Sequence, residues 1–252
     1  ISDFNGTVTI SVFDKESTLL TRGNDGNGTN TKIPAQNNII FRGQATVANG
    51  IFAIDFVVPK DIKYEIDTSK ISAYAENGKS DASGFTHKFF LGGESLHPIT
   101  DDLPPIINLF LDNESFRNGQ TVGATPLLIA KVSDDNGINI SGTSIGHDIV
   151  YKLNNDENRS KVMNDFFIAE KDSYKSGVVN YQLEKLDPGS YTLSLKAWDV
   201  LNNHAESQIE FVVANNGQEA ITRLLNYPNP FTTSTSFLFE YESGNQPVLA
   251  QI

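Results

Sequence analysis

The chain carries four histidines and no cysteine. Without a thiol it has no disulfide, no thiolate metal ligand and no cysteine nucleophile. His147 followed by Asp148 suggests a general base beside an orienting carboxylate. Neighbours along an extended strand point to opposite faces, so these two side chains are not expected to meet. With no activated serine beside them, no catalytic residue is assigned. The second candidate is Asp134-Asp135-Asn136-Gly137, an oxygen-rich turn. Calcium takes about six to eight hard oxygens, and the alternating acidic spacing of an EF loop is absent. The stretch reads first as a solvated turn. The alternative is a structural calcium on Asp134, Asp135 and Asn136, with Asp148, Asp199 or Asn202 brought up by a sandwich. No other cofactor is implied. Trp198 stands alone among Thr192, Ser194 and Lys196, on the strand face opposite Tyr191, Leu193 and Leu195. Sugar sites gather several aromatics, so packing against another module or a covering loop is preferred.

These residues are expected on strands. Sixteen Phe and eight Tyr against one Met suit pleated surfaces. Val8, Ile10 and Val12 alternate with Thr7, Thr9 and Ser11, the period of a half-buried strand. A glycine-rich stretch from Arg22 to Asn30 reads as a mobile loop. Asn49-Gly50 lies between two alternating runs, the second being Phe52, Ile54, Phe56 and Val58, and predicts a type I′ hairpin. Pro59 ends that run. Further strands are expected around Ile71–Ala75 and Phe89–Leu91. Asp101-Asp102-Leu103-Pro104-Pro105 reads as a short, stiff connector. Beyond it, Ile107, Leu109 and Leu111, then Leu128, Ala130 and Val132, open a second unit. Its most diagnostic stretch is Asp187-Pro188-Gly189 just before Tyr191, which predicts a tyrosine corner, a structural role for Tyr191. Ile209, Phe211 and Val213 close the sandwich.

The expected fold is all-β: tandem immunoglobulin-like sandwich modules at residues 1–100 and 101–216, then a linker and the start of a third β unit at 217–252. Some thirty residues cannot close a sandwich, and Ile1 and Ile252 both read as falling inside a longer protein. The net charge of −12, from 31 acidic and 19 basic residues, would repel a phosphate backbone, so nucleic acid is not an expected partner. No stretch approaches the roughly 18 apolar residues of a transmembrane helix.

Asn226-Tyr227-Pro228-Asn229-Pro230-Phe231, followed by Phe237 and Phe239 on one face of a strand, resembles the start of the C-terminal sorting domain of type IX secretion cargo. Asp134–Asn139, Gly146-His147-Asp148-Ile149 and Leu195–Val200 resemble the region before that domain in the PorU-type sortase family of the type IX system, and Phe4-Asn5-Gly6 and Val12–Lys15 fit the same family. The resemblance implies an exported protein at the outer-membrane cell surface of a Gram-negative bacterium. It also implies an upstream gingipain-like (C25) cysteine peptidase domain that removes sorting domains and joins cargo to anionic lipopolysaccharide. Type IX outer-membrane components and that peptidase domain are the implied partners. The family's catalytic Cys and His have no counterpart here. This chain is therefore expected to be non-catalytic, a spacer with docking surfaces. A surface adhesin or carbohydrate-binding array carrying the same signal is the alternative. A peptidase domain or further β repeats upstream of Ile1 would separate the two.

Overall fold

The computed structural model describes residues 3–24, 26, 28–142, 146–214, 221–227 and 233–241. The regular structure among the described residues is all strand, apart from one 3-10 turn at Asn164–Phe166. No helix among them is long and apolar enough to cross a membrane.

The first half supplies β1 (Gly6–Phe13), β2 (Ser17–Leu20), β3 (Lys32–Ala35), β4 (Ile39–Val47), β5 (Asp67–Glu76) and β6 (Asp81–Leu91). The second supplies β7 (Ile106–Leu111), β8 (Thr121–Val122), β9 (Leu127–Ser133), β10 (Val150–Leu153), β11 (Asp156–Val162), β12 (Phe167–Ala169), β13 (Ser176–Gln182), β14 (Gly189–Trp198) and β15 (His204–Val213). A separate hairpin follows, β16 (Ile221–Tyr227) with β17 (Ser236–Tyr241).

The second half is a two-sheet sandwich. One layer runs β7-β9-β13-β12 and the other β11-β10-β14-β15-β8, the strand arrangement of an immunoglobulin-type domain. Leu193, two residues after Tyr191, is fully buried where antibody-type domains place a disulfide cysteine. With Leu195, Leu128, Ala130 and Phe211 it fills the space between the layers with hydrocarbon. The Tyr191 hydroxyl donates to the Asp187 carbonyl at 2.8 Å, so the turn and the strand after it are tied by one local bond.

The connector does not divide the sheet. The layer β7-β9-β13-β12 continues into β4-β1-β5-β6, giving eight strands in one sheet. The joint is a parallel pairing of β12 with β4, where Ala169 lies opposite Gly43. Glycine is needed at that point: a Cβ on Gly43 would meet the Phe41 ring at 2.6 Å and Ala169 Cβ at 3.2 Å. The first half thus adds four strands to the shared sheet, a β2–β3 ribbon and an irregular strap from 52 to 66, rather than a second layer of its own.

The strap departs from the expected hairpin. Asn49 (φ 51°) and Gly50 (φ 76°) do make the turn, and Ala48 and Ile51 exchange both backbone bonds. Pairing stops there, because the β4 edge is already taken. Ala169 pairs with Gly43, the Asp172 amide donates to Gln44, and the Asp172 carboxylate accepts from the Thr46 amide and hydroxyl, each at 2.6 Å. Displaced from the edge, the alternating residues pack instead. Phe56 stacks on Phe41 at 4.6 Å, and Ile54 and Ile62 lie against the core.

Candidate functional site

Three carboxylates meet where the connector touches the second sandwich. Asp134 follows β9, Asp199 follows β14, and Asp101 precedes the two prolines; one ligand oxygen from each lies within 4.8 Å of the others. Local bonds aim them. Asp134 Oδ1 accepts from the Asn136 amide at 2.7 Å, an Asx turn that Gly137 completes at φ 103°. Asp199, fully buried, accepts from the Leu201 and Asn203 amides and from Asn203 Nδ2. Asp101 accepts from Asn136 Nδ2 at 2.5 Å, and its carbonyl accepts from Asn203 Nδ2.

Such a group of hard oxygens is able to take a hard cation, the remaining positions falling to carbonyls and water. Of the three turn residues expected to ligate, only Asp134 is in the group, and of the three expected to be brought up to it, only Asp199 is. Asp135 turns outward to Lys175 at 3.2 Å, and Asn136 directs its amide nitrogen, not its oxygen, at Asp101. Successive turn residues point apart, so ligands come from different segments instead.

Burial raises the Asp134 carboxyl above its usual range; the charges of Asp199 and Asp101 add to this, against the Asn136 and Gly137 bonds. A carboxyl raised in the folded state binds more protons there than in the unfolded chain. Stability therefore falls as pH rises from the ordinary carboxylate range through the raised value. Asp134→Asn keeps the turn acceptor and removes the charge. Melting in chelator at pH 7 should show the variant melting a few degrees above the parent, with the gain disappearing near pH 3.5. An unchanged difference at both pH values would contradict this.

A second polar cluster joins the two halves. Asp61, on the strap, has a side chain only 7% exposed. Its Oδ2 meets His147 Nδ1 and Asn139 Nδ2, both at 2.7 Å, and its Oδ1 accepts from Asn202 Nδ2 at 3.1 Å. Beside it the Lys60 amide donates to the Val200 carbonyl, and Ser141 Oγ donates to the Asp61 carbonyl. His147 stacks on Trp198 with ring centres 4.1 Å apart, and Trp198 has His204 at 4.4 Å on its other neighbour strand. Lys196 Nζ lies 4.5 Å from the same indole. The half-buried Trp198 is thus enclosed by protein groups. Asp148 does not join His147; it accepts from Asn164 Nδ2 at 2.7 Å. Burial pushes the Asp148 carboxyl up, opposed by that bond and by His147.

Asn226 and Tyr227 end β16, opposite Phe237 and Ser236. Residues 228–231 of the sorting motif lie outside the described residues.

No family model matches the chain, and no curated protein matches it. Among solved structures it is similar to dimeric latent PorU from Porphyromonas gingivalis, at 31% identity over 94% of this chain, with a TM-score of 0.47. The match covers 22% of that chain, so the present chain spans about a fifth of its length.

Asp61 and Asp101 are the site residues that sequence reasoning missed. Asp61 sits in Lys60-Asp61-Ile62 and Asp101 in an acidic, proline-rich connector, and neither segment has a period or spacing that signals burial. Only the order of the strands brings them to their partners.

Proposed function

We propose that this chain is the non-catalytic β region of an exported type IX sortase of the PorU type, acting as a stiff spacer and docking body between a peptidase domain and a terminal sorting unit. The observation that carries the spacer role is the continuous eight-stranded sheet, reinforced across the joint by Asp61. A sheet shared between halves resists bending far better than a flexible tether of equal length. The residues quoted above for the resemblance support the family. The chain has no cysteine, so it holds no cysteine nucleophile, and His147 spends its Nδ1 on a structural carboxylate.

Purified chain incubated with sorting-domain peptides should give no product above the peptide-only blank. Any turnover that scales with protein concentration would overturn the non-catalytic reading. In the full-length protein, replacing residues 3–214 with a flexible Gly/Ser linker of similar span should abolish cargo processing at the cell surface. Full processing with that linker would remove the spacer role.

A further inference from the structure

Strands β5 and β6 carry their large side chains on the side away from the core. Residues opposite one another on paired strands share a face. Val8, Ile10 and Val12 of β1 are buried, and β5 sets Ala75, Ala73 and Ile71 opposite them; β6 continues the face with Ala82, Gly84 and Thr86. The core side of this hairpin is therefore built mostly of small residues. Its rings stand on the other side. Tyr74 lies between Thr9 and Ser83, and Phe85 lies opposite Ser72. Phe90 shares their face, because its partner Thr68 is an even number of positions from Tyr74 along β5. Tyr74, Phe85 and Phe90 are 47%, 73% and 72% exposed. A single exposed ring is ordinary. Three on one face of one hairpin, with the small residues turned inward, mark a contact surface.

The groups between the rings decide what it contacts. Thr7, Thr9 and Ser11 of β1, Ser72 of β5 and Ser83 of β6 lie on the same face. A protein partner would want a continuous apolar centre, whereas here rings alternate with hydroxyls. A sugar ring suits that pattern. Its C–H side lies on an aromatic face, and its rim of hydroxyls exchanges hydrogen bonds with Ser and Thr. Charge narrows the choice. Glu76 and Asp81 on this face are matched by Lys70 and by Lys88 in the bulge opposite it, so the face has no net charge. The whole chain, at −12, repels polyanions. Two contacts steady the rings: the Tyr74 hydroxyl donates to Asp81 Oδ2 at 3.1 Å, and Phe85 and His87 meet edge to face, 5.5 Å between centres. Because β6 is the outer strand of the eight-stranded sheet, a long polymer can run past it without obstruction from a further strand. We propose that the outward face of β5 and β6 binds a neutral polysaccharide, with Tyr74, Phe85 and Phe90 as the stacking platforms.

The face belongs to this chain and needs no upstream domain, so the purified chain tests it. In native gels cast with dextran, mannan, galactomannan or xyloglucan, at least one polymer should retard the protein. Phe85→Ala should weaken that binding about two- to tenfold, the range for a single ring contact, and adding Tyr74→Ala should return mobility to its polymer-free value. Phe85→Trp keeps a ring and should retain binding. The side chains are exposed, so all variants should melt with the parent. Retardation by none of the four polymers would overturn the site. So would retardation that survives the double substitution, equal loss in Phe85→Ala and Phe85→Trp, or retardation by the polyanion alginate alone. Self-association that the same substitutions abolish, with no retardation by any polymer, would make the face a protein contact instead.

Discussion

Asp14→Ala is expected to lower stability by about 3–5 kcal/mol, one of the two largest effects foreseen for a single residue here. Asp14 and Lys15 are 1% and 4% exposed, and their side chains meet at 2.8 Å where β1 leaves the sheet. The backbone holds them there: the Asp14 amide donates to the Asn38 carbonyl, and Gln36 Nε2 donates to the Asp14 carbonyl. Removing the carboxylate leaves an ammonium out of water with its counter-charge gone. For a chain of this size the loss corresponds to a fall in Tm of about 10–15 °C. The pair itself is a poor source of stability. Asp14 Oδ2 has no hydrogen-bond partner among the described residues, so desolvation of the carboxylate is only partly compensated. Asp14→Leu with Lys15→Met should accordingly melt within a few degrees of the parent, or above it. Thermal melts of the two single variants and the double variant at pH 7 test both statements. Equal losses in single and double variants would mean that packing, not charge, governs the site.

This pair also marks a limit of reading the sequence. Adjacent charged residues after a strand normally predict a solvated turn, and nothing in Phe13-Asp14-Lys15-Glu16 signals that two of them are enclosed. What was legible obeyed short-range rules. The tyrosine corner depends on a bond between residues four apart, and Asp187-Pro188-Gly189 followed by Tyr191 announces it. The alternation in β1 and β14 identifies the buried faces because the pleat fixes which side chains share a side. The Asn49-Gly50 turn likewise followed from the positive φ that both residues tolerate.

What the sequence did not show comes from competition between segments distant in sequence. The strand expected after Gly50 lost its place on β4 to residues 169–172, more than a hundred positions away. His147 and Asp148 were not expected to meet and do not; what the sequence did not show is that the carboxylate partner of His147 comes from the strap. For the acidic turn, the expected set of Asp134, Asp135 and Asn136 with Asp148, Asp199 or Asn202 brought up shares Asp134 and Asp199 with the group that folding gathers, and Asp101 joins them from the connector. The connector prolines suggested two bodies joined by a rod, but proline geometry constrains only the local path. It does not prevent β12 from completing the edge of β4. In each case the local conformation was readable, and its partner was set by strand order.

If strand order makes the halves one body, then cutting the junction should cost far more than a surface hydrogen bond. Asp61→Ala removes the acceptor shared by His147 Nδ1, Asn139 Nδ2 and Asn202 Nδ2. Asn139 is fully buried, so its amide cannot turn to bulk water, and the other two are only partly able to. Hydrogen bonds to a charged group contribute about 1.5–3 kcal/mol each, and entering water recovers part of the loss. A net destabilisation of about 3–4 kcal/mol follows. The form of the unfolding curve discriminates further. The shared sheet should keep the parent to one cooperative transition, whereas loss of Asp61 unpins the strap and leaves the halves joined by the short β12–β4 pairing, the bonds of Asp172 to Thr46 and those of Asn38 to Ser141 and Gly142. The first half, with one sheet and a strap in place of a closed sandwich, should then melt first. Hydrogen exchange should show protection falling in β1, β4 and β5 of the variant before it falls in β14 and β15. Uniform loss of protection across all five strands would mean that the backbone joint alone couples the halves and that Asp61 contributes only its own bonds.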